Sequence, residues 1–96
     1  MKMVFIAYCE AVDYEVMEAI KAVGIKGYTK FAEVIGEGDE TQPRLGTQCW
    51  PGKNNFLVIA AGDEELGPLV LAVKEMKRRH PKGGIKAFVM PLEEVV

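Results

Sequence analysis

Four glycine-bearing stretches of this 96-residue chain offer adaptable backbone, and the last three add cations: GEG at Gly36–Gly38, RLGT at Arg44–Thr47, PGK at Pro51–Lys53 and KGGIK at Lys82–Lys86. Glycine lets neighbouring backbone N–H groups converge on an anion, while lysine and arginine neutralise it. The chemistry these residue types offer is therefore the binding of a phosphate or a comparable small anion. Gly36, Gly38, Arg44, Lys53, Gly83, Gly84 and Lys86 are the candidate contacts. Each stretch alone is a weak signal, because glycine is also the ordinary turn residue. None is a Walker loop or a dinucleotide fingerprint. Their weight comes from number and from their places near strand ends.

Other chemistry is thinly represented. His80, the single histidine, precedes Pro81 at a basic helix end and reads as a partner of the helix dipole. The carboxylates Glu10, Asp13, Asp39, Glu40 and Asp63–Glu65 fall at helix starts or in a connector. No pair of them is placed for acid/base catalysis, and the chain reads as a non-enzyme. Cys9 and Cys49 form no CxxC motif and are expected to be free thiols in a cytoplasmic protein. Cys49 is a weak candidate metal ligand, with Asp39, Glu40 or His80 joining it across subunits. Trp50, the only tryptophan, sits in the connector with Pro51 and reads as a lid, a partner-docking anchor or a packing residue.

Two continuous apolar runs, Met3–Tyr8 and Phe56–Ala61, read as strands buried on both faces. Asp13 is expected to cap a helix whose apolar positions Val12, Val16, Ile20 and Val23 recur at helical spacing, with Gly24 as its left-handed stop. Gly27–Gly36 is a mixed-polarity strand suited to a sheet edge. A connector spans 37–54. A second helix opens near Asp63 or near Gly67, depending on how Pro68 is accommodated, and stops at His80-Pro81. A last strand covers Ile85–Met90.

Strand, helix, strand, strand, helix, strand predicts an α+β ferredoxin-like βαββαβ sandwich: an antiparallel sheet of order 4-1-3-2 with both helices on one face. The chain is read as one domain, 1–96. Strands one and three are apolar on both faces, so the uncovered face calls for a second layer, and self-association supplies it most simply. Two exclusions follow from composition. A net charge of −2 and a pI near 5.4 argue against a nucleic-acid surface. The apolar runs are too short for membrane insertion.

The stretch AIKAVGIKGYTKFAEVIGEGDE resembles the PII signal-transduction family through Gly24, Lys26, Gly27, Tyr28, Thr29, Gly36 and Gly38, and PKGGIKAFVMPLEEV resembles the family's glycine-lysine loop, last main strand and tail. The resemblance implies a homotrimer with effector clefts between subunits, where adenine nucleotides bind. By position, Thr29, Gly36 and Gly38 match residues near the nucleotide, and Gly83 and Lys86 match the phosphate-binding loop. The connector 37–54 then resembles the loop that docks onto a transporter, enzyme or regulatory protein. Two departures stand out: Ile85 replaces a loop glycine, and the connector is short and has no tyrosine. The short PII-like branch fits better than a nitrogen sensor. CutA-like trimers, associated with divalent metals, share the architecture and supply the alternative. A small dimeric α+β-barrel enzyme is a third class.

Overall fold

A computed structural model describes residues 1–36 and 52–96. The strands are β1 (Lys2–Cys9), β2 (Thr29–Gly36), β3 (Gly52–Ala61) and β4 (Lys86–Pro91), and the helices are α1 (Asp13–Val23) and α2 (Asp63–Arg79). They form one antiparallel sheet of order β2-β3-β1-β4, the predicted order read from the opposite edge.

Period-two alternation divides each central strand between two faces. Val4, Ile6 and Tyr8 of β1 and Leu57, Ile59 and Ala61 of β3 are buried with Val16, Ile20, Leu69 and Val73 from the helices. Both helices therefore cover this face. Met3, Phe5, Phe56, Val58, Phe88 and Met90 alternate onto the other face, and there Phe88 and Met90 are exposed. Phe5 and Phe56 stack at a centroid distance of 5.5 Å. The two-sided apolarity of the central strands is thus real, and among the described residues no layer covers the second side.

Gly24 closes α1 at φ +97°, as its position predicts, and its N–H reaches the carbonyls of Ile20 and Lys21. α2 begins at Asp63, so Pro68 lies inside it. That proline forfeits the N–H of one second-turn hydrogen bond. The entry is held by Glu65, whose Oε1 accepts the Gly62 N–H at 2.9 Å.

Three expectations are corrected. Asp13 does not cap α1; it is the first helical residue, and its carboxylate is engaged elsewhere. β3 starts at Gly52, so Lys53 and Asn54 belong to a strand rather than to the connector. The antiparallel partners Ile35 and Val34 extend the ladder that far. Cys9 is disulfide-bonded instead of a free thiol. The register sets Asn54 opposite Cys9. Cys49 itself lies outside the described residues.

Candidate functional site

The apolar alternation of β1 and β3 is interrupted by polar groups at one end, where Tyr8 stands opposite Asn55 on the helix-covered face. Tyr8 is fully buried and its hydroxyl donates to Asp13 Oδ1 at 2.6 Å. Lys30 Nζ of β2 donates to both Asp13 oxygens, at 2.9 and 3.1 Å, and Asn55 Nδ2 donates to Oδ1 at 3.0 Å. One carboxylate thus joins α1 to three strands. Burial pushes the Asp13 carboxyl up, but hydrogen bonds from Tyr8, Lys30 and Asn55 outweigh it and hold the group below its ordinary range. Burial first, and then the bond to Asp13, raises the Tyr8 hydroxyl well above an ordinary phenol.

Asn55 carries this network outward. Its Oδ1 accepts the Glu33 N–H at 3.2 Å. Glu33 sits in a β-bulge where the β2–β3 register slips by one between Phe31 and Val34. Its φ of +58° is the only positive value at a non-glycine among the described residues. Such a conformation strains an ordinary L-residue and marks a place worth a functional question. The Glu33 carboxylate in turn accepts from Lys53 Nζ at 2.8 Å. This hydrogen bond holds Glu33 below, and Lys53 above, their ordinary ionisation ranges.

The structure gathers some predicted contacts and separates others. Gly36 ends β2 opposite Gly52, next to the Ile35–Lys53 pair. Gly83 and Gly84 occupy the α2–β4 turn and Lys86 opens β4 at the same end of the sheet, where the Cys9 N–H donates to the Gly83 carbonyl at 2.8 Å. Thr29 is elsewhere, at the start of edge strand β2, opposite Val58. From Thr29 on one edge to Lys86 on the other is three interstrand steps, roughly 14 Å at ~4.8 Å each. One small anion cannot touch both in one chain. Gly38, Arg44, Trp50 and Pro51 lie outside the described residues.

At the α2–β4 corner, a cleft of about 250 Å³ is lined by Lys77, His80, Pro81, Gly84, Ile85 and Lys86. No carboxylate is among these residues. Gly83 is needed for close packing, since a Cβ there would lie 3.2 Å from the His80 carbonyl oxygen and 3.3 Å from Val12 Cγ2. Gly84 is needed for its φ of +62°. Ile85 borders the cleft but is only 4% exposed and packs in the core. A second cleft, about 340 Å³, opens on the uncovered face and is lined by Met3, Gly27, Tyr28, Thr29, Val58, Ala60 and Val95. It is mostly apolar with one aromatic ring, whereas the corner is basic.

Sequence reasoning nominated glycines and lysines and missed Asp13, Lys30, Asn55 and Glu33 as a connected set. Tyr8 and Asn55, polar ends of otherwise apolar strands, were the available signal. Among the described residues, no three histidine, cysteine or acidic side chains cluster as a metal site. No described helix is long and apolar enough to cross a membrane.

Solved structures share this architecture. CPII, a nitrogen regulatory PII-like protein from Thiomonas intermedia K12 bound to ADP, AMP and bicarbonate, superposes with a TM-score of 0.68 at 18% identity, covering 99% of this chain and 94% of that one. Its apo form gives 0.65 at 18% identity over 95% and 89%. A PII-like signaling protein from Thermus thermophilus gives 0.59 at 21% identity over 92% and 82%. At such identities these likenesses speak for the fold. No curated protein sequence matches the chain significantly. The family model for nitrogen regulatory protein P-II, however, matches residues 1–96. The chain belongs to the P-II family.

Proposed function

We propose that this chain is a non-enzymatic regulatory sensor of the short PII-like branch, acting as one 96-residue unit in a cytoplasmic homotrimer. It binds an anionic effector, an adenine nucleotide, at clefts between subunits. The observation that carries this reading is the separation of two unlike half-sites on one sheet. An apolar cleft beside Tyr28 and Thr29 suits a flat base, and the basic corner at Gly84 and Lys86 suits phosphate. They lie near opposite edges of the sheet, so two neighbouring copies can bring them together where one cannot. The uncovered apolar face gives those copies a reason to pack.

Gly36, Gly38, Arg44, Lys53, Gly83 and Lys86 are the proposed anion contacts, with Thr29 supplied by the neighbouring subunit. The segment 37–51, with Trp50 and Pro51, is the proposed docking element for a transporter or regulatory protein. The ADP and AMP of the Thiomonas protein support the effector class. Isothermal titration of ATP, ADP and AMP, with light scattering on the same sample, tests the reading. A trimer that binds at least one nucleotide, with loss on Lys86→Ala, is expected. A monomer, or no binding of any nucleotide, overturns it.

A further inference from the structure

The Glu33–Lys53 pair occupies one of the cations that the sensor reading assigns to its effector. Both side chains are more than half exposed, at 63% and 58%, yet Nζ and Oε1 stand 2.8 Å apart. Exposed pairs of this kind are weak, because water screens them and two long side chains lose freedom. A stronger anion can therefore take Lys53 away.

Glu33 would not drift off when this happens. Its backbone is held by the Asn55 side chain, which is anchored to Asp13 and through it to buried Tyr8 and to Lys30. The bulge keeps Glu33 in a left-handed conformation that glycine or asparagine would adopt at lower cost. The Glu33 backbone is thus held near Lys53 by a partly buried network that does not depend on Lys53.

We propose that Glu33 is a resident counter-carboxylate for Lys53, which an anionic effector must displace, so that the position admits groups bearing two or more negative charges and passes over monoanions. This rests on the reading of Lys53 as an effector contact. A monoanion replacing a carboxylate exchanges like for like and gains almost nothing. A second negative charge at ~4 Å in water adds an attraction on the order of a fivefold change in affinity.

The test uses inorganic pyrophosphate and bicarbonate as probes, titrated into the full chain by calorimetry, with Lys53 also followed by NMR in the proteins that keep it. Wild type should show pyrophosphate at Lys53 and no bicarbonate there. Glu33→Gln should strengthen pyrophosphate by up to about fivefold and bring bicarbonate binding into range. Lys53→Gln should abolish the response of both probes. In a Lys53→Gln background, Glu33→Gln should add nothing, which separates displacement from general repulsion by a nearby charge. Bicarbonate binding at Lys53 in wild type, or an unchanged pyrophosphate affinity in Glu33→Gln, overturns the inference. So does the same gain with and without Lys53. Retained nucleotide binding in those cases leaves the sensor reading standing; loss of all nucleotide binding removes that reading separately.

Discussion

The Tyr8 hydroxyl donates to Asp13 Oδ1 at 2.6 Å and so ties the end of β1 to the first turn of α1. Asp13 commits to this bond, and to those from Lys30 and Asn55, the carboxylate that a helix start would ordinarily use as a cap. The result is a polar joint under the sheet end where the candidate anion contacts collect.

Removing the acceptor should be costly. Asp13→Ala strands the Tyr8 hydroxyl and the Asn55 amide, each left short of a partner at ~1–3 kcal/mol. We expect a loss of about 2–4 kcal/mol in urea unfolding. Tyr8→Phe, which removes only one donor, should lose about 1 kcal/mol. Equal losses for the two variants would contradict a network centred on Asp13.

Stability should fall at both pH extremes. Asp13 is lowered in the fold, so its contribution is present above its unfolded value of 3.8 and declines as pH drops further, through the folded value. Tyr8 is raised, so its contribution is complete below the unfolded value of 10.0 and declines as pH climbs above it. Thermal scans across pH should show both limbs, and Tyr8→Phe should flatten the alkaline one.

The two corner glycines should fail for different reasons. Gly83→Ala forces a Cβ against the His80 carbonyl and Val12, an overpacking that costs about 1–3 kcal/mol. Gly84→Ala has to hold φ +62°, a strain of roughly 1 kcal/mol. Gly84→Asn, which tolerates that φ, should recover part of the loss, whereas Gly83→Asn should be worse than Gly83→Ala. Chemical denaturation of the four variants checks the ordering.

Phe88 is 51% exposed on the uncovered sheet face. If copies of the chain pack there, Phe88→Glu buries a charge in the contact and should convert the assembly to monomers, read by light scattering, with little change in circular dichroism. An unchanged mass would place the contact elsewhere.

Much of the fold was legible in residue order. The runs Met3–Tyr8 and Phe56–Ala61 announce central strands because only a two-sided environment rewards continuous apolarity. Gly24 announces a helix end because only a residue without a side chain takes φ near +97° cheaply. These are local preferences, and right-handed crossovers then leave few ways to connect the elements. The P-II resemblance rested on residues of the same local kind.

Tertiary structure alone decided the rest. The bulge at Glu33 exists because Asn55, 22 positions away, offers an acceptor to its N–H. Asp13 abandons the cap because Tyr8, Lys30 and Asn55 arrive from three strands. β3 extends back to Gly52 because β2 is there to pair with it. Each outcome depends on partners distant in sequence, whose meeting no local propensity encodes. Residue types alone could nominate Lys53 as an anion contact; only the folded chain shows a carboxylate already standing at its side.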